Sequence, residues 1–330
     1  MLKLYYYINI CLLYTIYIFM SMISISKALK YGEKDLIDKK IDSAKLDAEL
    51  LLANILGFKQ EKLLANPEHP ISNIQYSSFK KLINKHKQGY SVATLTSCKE
   101  FYGIDFYVNK DVLIPRPETE ILVENVLGLV GLVGVVGFIG KITCPTDPND
   151  PTYPTNLNIL EIGTGSGCVA LTLAKYMPKA KILALDVSKK ALKVAKKNKR
   201  RLKIENVKFK KSDLLSEFKN SRYRRWVFEP DIIIANLPYL TKKELKEPSI
   251  SKEPKLALYG GKEGLELYEK LLKEIKQIYK KENRNIVIFL EINPSQSKKI
   301  TELIKNNLPK AKIELKKDLA QKDRVVKIEI

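Results

Sequence analysis

The most constraining feature of this sequence is an alternation of strand-like and helix-like segments from residue 158 onward. Seven short runs rich in Ile, Leu and Val read as strands: "NLNILEIGTG", "AKILALD", "VKFKKSD", "PDIIIANL", "NIVIFLEIN", "AKIELKKD" and "RVVKIEI". Segments with helical spacing lie among them, such as "GCVALTLAKYM", "KKALKVAKKNKRRL" and "GLELYEKLLKEIKQIYKKE". The pattern predicts an α/β domain, a mostly parallel sheet covered by helices on both faces. The last two strands are joined by the short "LAQKD" and should run antiparallel. Ligands of such sheets bind outside the carboxyl ends of the strands, so the residues ending each strand are the ones to read for chemistry.

The rest of the chain divides by pattern. Residues 22 to 95 read as a small helical domain, in which "SAKLDAELLLANILG" places Leu46, Leu50 and Ile55 on one face and ends in Gly57. Residues 96 to 127 read as a linking hairpin and a connecting helix, with Gly103 in the turn and Glu118 and Glu120 in the first helical turn, where the dipole favours acids. Residues 128 to 157 hold two period-three stretches, "GLVGLVGVVGFI" and "PTDPNDPTYPTN". Neither suits a core; read as an inverted nucleotide repeat, they form a low-complexity insert in a tolerant loop. Residues 4 to 25 carry no charge over 22 positions, long enough to span a bilayer. Five tyrosines and Asn9 make a poor span, however. Residues 1 to 21 are therefore read as an apolar extension ahead of a start at Met22, with a membrane tether through 4 to 25 as the alternative. Either way the rest of the chain is expected in the cytoplasm.

Composition removes several chemistries. Four scattered cysteines without a CxxC pair argue against a zinc site and a disulfide scaffold. The two histidines, His69 and His86, precede the main motifs, so a His-based triad or metal centre is not expected. The net charge of +21 suggests a phosphate-rich partner or a Lys-rich composition. With 50 Lys against 8 Arg, and no arginine cluster apparent outside "RYRRW", the compositional reading is favoured.

Three strand ends carry chemistry. In "LEIGTGSG", Gly163, Thr164, Gly165, Ser166 and Gly167 follow Glu161; the glycines allow a tight turn and close approach of a ligand at the head of the next helix. Asp186 ends the next strand, where an acid suits a ribose diol; the bland alternative is a helix cap, and Ser188 competes for that role, leaving the acid free. Asp213 and Leu214 end the third strand, a position from which an adenine ring could be hydrogen-bonded and covered; alone they read as an ordinary strand end. Asn236-Leu237-Pro238-Tyr239 ends the fourth strand, beside the first. A planar nitrogen has a delocalised lone pair, so methylating it requires acceptors for its two hydrogens. The Asn236 side-chain oxygen and the carbonyl of residue 237 are two such acceptors, Pro238 holds residue 237 extended, and Tyr239 covers the target. The competing reading is a structural turn with an Asn cap.

"NLPY" is similar to the Asn-Pro-Pro-Tyr motif of methyltransferases acting on planar nitrogens. With "EFYGIDFYVNKDVLIPRPETE", "LEIGTGSGCVALTLAK", "EPKLALYGGKEGLELYEKLL" and "KDLAQKDRVV", the chain resembles the release-factor glutamine methyltransferases of the PrmC/HemK type from about residue 22 to 330. The resemblance implies a Rossmann-like class I methyltransferase domain over 158 to 330, preceded by a release-factor-binding helical domain. It also implies S-adenosylmethionine as cofactor, and as substrate the glutamine side-chain nitrogen of the Gly-Gly-Gln motif in class 1 peptide-chain release factors. By position, Gly163 to Gly167 would hold the methionine part, Asp186 the ribose, Asp213 and Leu214 the adenine, with Asn236 also touching the cofactor. Asn236, Leu237, Pro238 and Tyr239 would hold the glutamine, with Arg116 and Glu118 contacting cofactor or release factor or forming structural salt bridges. No metal and no nucleic acid are required, and a monomer is expected. The sequence departs from the family at Leu237 for the first proline, at Asn293 and at Gln321 for glycines.

The main rival is an adenine, ribosomal RNA or DNA amino-methyltransferase, which would need a target-recognition region rich in Arg and aromatics. A non-catalytic binding protein conflicts with the intact Asn236, Pro238 and Tyr239, and a nicotinamide dehydrogenase lacks a nearby His donor. If the insert reading is right, a chain lacking 129 to 156 keeps wild-type methylation and melting temperature; loss of the fold would contradict it.

Overall fold

The structure, a computed structural model, describes residues 22–131, 157–219, 228–247, 250–279 and 285–330. "RYRRW", nearly all of the insert and residues 1 to 21 lie outside them. The chain divides into two compact units, Met1–Thr96 and Ser97–Ile330. Among the described residues no helix is long and apolar enough to cross a membrane.

The first unit pairs strands β1 (Ile23–Ser24) and β2 (Pro70–Ile71) and packs helices α1 (Ile25–Ile37), α2 (Ala44–Leu56), α3 (Gln60–Leu64), α4 (Asn73–Lys87) and α5 (Val92–Thr96). Ser72 and Gln75 form a reciprocal capping box at the start of α4. The α2 face expected from the sequence is corrected. Ala44, Ala48, Leu51 and Leu52 are buried, whereas Leu46 is exposed. The run "ELLLANIL" offers two overlapping apolar stripes, and the small alanines set the closer one against α1.

The second unit opens with a hairpin, β3 (Cys98–Phe101) and β4 (Ile104–Tyr107), turned through Tyr102 and Gly103, both at positive φ. Helix α6 (Glu120–Leu129) follows. Strands β5 (Asn158–Ile162), β6 (Lys181–Asp186), β7 (Val207–Lys211), β8 (Ile232–Ala235), β9 (Val287–Glu291), β10 (Lys312–Lys317) and β11 (Asp323–Glu329) form one seven-stranded sheet in the order β10-β11-β9-β8-β5-β6-β7. The middle of this sheet is parallel, and β11 runs antiparallel to both neighbours. Gln321 takes φ 59 in the β10–β11 turn, a conformation that favours glycine.

Alternating residues feed two cores, one on each face. Ile159, Ile232, Ile234 and Phe289 face a cluster with Val123, Val169 and Leu173; Leu160, Ile233, Ile288 and Leu290 face one with Leu271, Ile275 and Ile300. The consecutive isoleucines of β8 are thus required by burial on both sides. Helices α7 (Cys168–Tyr176), α8 (Lys189–Arg201), α9 (Glu266–Tyr279) and α10 (Ser297–Asn307) supply the covering layers. Strand order reverses between β5 and β8, and the crevice opens at their carboxyl ends.

Asn198 of α8 ties the hairpin to this crevice. Its Oδ1 accepts from the Tyr107 N–H (2.8 Å), and its Nδ2 donates to the carbonyls of Tyr107 and Ser166, both 2.9 Å away. The side chain is buried, so these backbone groups have no water to turn to. Asn198→Ala is expected to lower stability by about 3 kcal/mol, read as an earlier midpoint in urea denaturation; a change near zero would mean the network contributes nothing.

Candidate active site

The carboxyl ends of β5, β6, β8 and β9 meet at one place. Gly163, after β5, has φ 80, and a Cβ there would sit 3.2 Å from both the Asn236 carbonyl oxygen and Leu237 Cδ2. Both its conformation and its proximity to β8 require glycine. The N–H groups of Gly163 and Thr164 donate to the Leu185 carbonyl at 2.9 Å, and the Gly165 N–H donates to Asp186 Oδ2 at 2.8 Å. Asp186 Oδ1 accepts from the Ser188 N–H at 2.7 Å, while Ser188 caps α8 by accepting from the Ala191 N–H. Ser188 takes the cap as expected, but Asp186 is not wholly free, because it holds the loop and the helix entry. Each oxygen holds one backbone N–H and keeps further acceptor capacity. Burial raises its pKa, and the two N–H bonds oppose that rise.

The other loop residues turn away from the crevice. The Thr164 hydroxyl donates to Glu161 Oε2 at 2.5 Å, Ser166 is buried, and a Cβ on Gly167 would press on Leu171, Ala195 and Phe209. Gly163 and Gly165 line a cavity of about 440 Å³ with Asp186, Asp213, Leu214 and Asn236. Leu214 is buried at φ 47, and the Asp213 carboxylate accepts from Lys270 Nζ at 2.6 Å. A wider cavity of about 850 Å³ opens at the opposite end of the sheet, near Asn285 and Lys312, where no strand-end motif reaches.

A second cavity of about 280 Å³ adjoins the first, and Asn236, Leu237 and Pro238 line both. Tyr239 and Arg116 belong to the smaller one. Asn236 Nδ2 donates to Glu291 Oε2 (2.8 Å) and to Thr119 Oγ1 (3.2 Å). When ionised, Glu291 can only accept, so it fixes the amide with its nitrogen inward and leaves Oδ1 for the crevice. The Leu237 N–H donates to the Tyr268 hydroxyl at 3.2 Å, and that hydroxyl donates to the Glu291 carbonyl. Leu237 thus supplies a bond that proline could not make.

The segment "LALYGGKEGL" clasps this wall from behind. The Leu240 N–H donates to the Leu258 carbonyl, and the Gly260 N–H returns to the Leu240 carbonyl, both at 2.9 Å. A Cβ on Gly260 would lie 2.7 Å from Tyr239 Cα, and one on Gly264 2.6 Å from Gln296 Nε2. Gln296 Nε2 also donates to the Tyr239 carbonyl at 3.1 Å. Glu291, Thr119, Tyr268 and these glycines were missed by motif reading. The one signal available was the acid at the end of "VIFLE", in the position Asp186 occupies on its own strand.

Arg116 ion-pairs with Glu253, whose other oxygen accepts from the Ile114 N–H at 3.2 Å. Glu118 lies outside both cavities, 3.9 Å from Arg324. Asn293 caps the turn after β9 by accepting from the Ser295 N–H at 3.1 Å. Among the described residues no group of three or more His, Cys, Asp or Glu is arranged to hold a metal ion.

Comparison with known proteins bears on the whole chain. The family described as "Methyltransferase domain" matches residues 154–327, and that described as "PrmC N-terminal domain" matches residues 27–96. The release factor glutamine methyltransferase of Leptospira interrogans is 35% identical over 311 residues, covering 92% of this chain and 97% of that protein. That of Bacillus subtilis is 34% identical over 282 residues, covering 84% and 89%. A bifunctional methyltransferase of Rickettsia typhi is 32% identical over 287 residues, which is 86% of this chain but 53% of that protein.

Burial raises both Glu161 and Glu291 to a pKa of about 7, against 4.5 for an ordinary glutamate. A carboxyl with a raised folded-state pKa destabilises the fold as it ionises. Its penalty is absent below the unfolded value, grows between pH 4.5 and about 7, and is complete above. Glu291→Gln is therefore expected to gain stability relative to wild type as pH rises through that window, followed by denaturation at pH 4.5, 6 and 8; a difference independent of pH would contradict it.

Proposed function

This chain belongs to the release factor glutamine methyltransferase family, and from that premise we propose that it methylates the side-chain amide nitrogen of the Gly-Gly-Gln glutamine in class 1 peptide-chain release factors. The enzyme is a methyltransferase of the S-adenosylmethionine-dependent class. The single observation that carries the substrate reading is the shared wall of two cavities, built from Asn236, Leu237 and Pro238, with the Asn236 amide locked by Glu291.

The larger cavity suits S-adenosylmethionine in its donor set. Asp186 keeps acceptor capacity for ribose hydroxyls, Gly163 and Gly165 allow close backbone approach, and Leu214 and Leu256 offer apolar cover for a base. Bound there, the cofactor supplies an electrophilic methyl group on a sulfonium. The chain's own residues then do the positioning. Asn236 Oδ1 accepts one N–H of the glutamine amide, and the Leu237 carbonyl accepts the other. The Tyr268 hydroxyl lies 3.4 Å from that carbonyl, but its one proton serves the nearer Glu291 carbonyl, so the acceptor remains available. With both hydrogens held, the nitrogen lone pair faces the neighbouring cavity. Tyr239 walls the smaller cavity as a neutral phenol, because burial and Glu291 raise its pKa further. No base is required, since the proton leaves only after the nitrogen has become cationic.

The test is transfer of label from S-adenosylmethionine to purified release factor. Wild-type factor should take label, and factor carrying Gln→Ala in Gly-Gly-Gln should take none; label on that variant, or on RNA, would overturn the reading. Asn236→Ala should lower kcat by about 100-fold or more with cofactor affinity within about threefold of wild type, measured by calorimetry beside initial rates.

A further inference from the structure

The positive charge of the chain is not spread as a Lys-rich composition would spread it. Residues 189–211 hold twelve Lys and Arg against one acid, Glu205, and so contribute +11 of the net +21 in 23 residues. That segment forms α8 and β7, the outer strand of the sheet. Helix α8 buries Ala191, Leu192, Val194 and Ala195 and exposes Lys189, Lys193, Lys196, Arg200 and Arg201. Strand β7 adds the exposed Lys208 and Lys211.

Lys199, Arg200 and Arg201 lie in the last turn, where the dipole favours cations, but the rest of this placement runs against the stability of the helix. The first turn has no acid and begins with two lysines, where the dipole disfavours cations. Lys189 and Lys193, then Lys196 and Arg200, are like-charged pairs four residues apart, which destabilise helices. Lys190 and Lys210 find acids within the fold, Asp111 and Glu217, so the counter-charge for Lys189, Lys193, Lys196, Arg200, Lys208 and Lys211 must come from outside it. We propose that this face docks the phosphate backbone of a folded, double-stranded RNA, as an accessory surface and not as the methyl acceptor.

Other partners fit less well. The helix exposes no large apolar side chain for insertion into a lipid surface. A protein partner would need an apolar or aromatic centre on the face, which is absent among the described residues. Single-stranded nucleic acid needs stacking platforms, but Phe209 packs against the core and Tyr107 lies under Lys197 Nζ, 3.2 Å from its centroid. Cations set out along a rigid helix about 20 Å long match a regular row of phosphates. The choice of RNA rests on the proposed substrate, a protein that works on the ribosome. An A-form duplex also packs its phosphates more closely along its axis than B-form DNA.

The test uses the full chain and a labelled 20-base-pair RNA hairpin in fluorescence anisotropy across a salt series. Wild type should bind with an affinity that falls steeply with salt. The variant Lys193→Gln/Lys196→Gln/Arg200→Gln/Arg201→Gln should bind about 10-fold or more weakly, with a log–log salt slope shallower by about 2 or more. Lys190 and Lys197 stay unchanged, since one lines the larger cavity and the other covers Tyr107. A control removing the same charge, Lys30→Gln/Lys34→Gln/Lys39→Gln/Lys45→Gln, should lose much less. Unchanged binding by the first variant, or equal loss in the control, would overturn the proposal. So would tighter binding of duplex DNA of the same sequence, polyglutamate or phosphatidylserine vesicles. Methylation by the face variant should match wild type. RNA binding intact without any methylation of release factor would count against the proposed substrate and leave the face standing.

Discussion

The hydrogen bond from Asn236 Nδ2 to Glu291 Oε2 is the contact on which the crevice depends. Asn236 follows β8 and Glu291 ends β9, and the parallel register that pairs Ala235 with Leu290 sets them side by side. The buried acid decides which way the amide faces, and a free Asn would present nitrogen and oxygen about equally. The Tyr268 hydroxyl extends the latch by joining the Leu237 N–H to the Glu291 carbonyl. Two strand ends and one helix therefore hold a short loop in a single conformation. Such positioning lowers the entropy lost when an acceptor amide is bound.

Close backbone approach is the second constraint. Gly163 brings the end of β5 against the Asn236 carbonyl, while Gly260 and Gly264 bring another loop against Pro238 and Tyr239. The segment Asn236 to Pro238, which lines both cavities, is thus packed against backbone from β5 and from this loop. A rigid segment shared by two adjoining cavities keeps their ligands near each other. Burial of Glu161 and Glu291 is the accompanying cost, seen in their raised pKa values.

Much of this was legible in the sequence because the signals are local. The alternation after residue 158, the glycine loop and the "NLPY" turn each sit within a few residues, and the sheet places them at one end. Residues acting through another side chain were not legible. Glu291, Thr119 and Tyr268 are 55, 117 and 31 positions from their partners in the wall, and their meaning depends on strand register. Gly260 and Gly264 show no role in the sequence, since the residues they meet in the clasp, Pro238, Tyr239 and Gln296, lie 21 to 32 positions away. The face of α2 was misread because adjacent leucines offered two stripes. The +21 total likewise does not show that about half of it falls on α8 and β7.

The orientation of Asn236 is the central claim, and its side-chain amide reports on it directly. In protein labelled with ¹⁵N at Asn, the Asn236 side-chain NH₂ resonances should shift with pH and follow Glu291 with a midpoint of about 7, and the step should vanish in Glu291→Gln. Resonances that stay unmoved from pH 5 to 9, or a step that survives the substitution, would show that Glu291 does not hold Asn236.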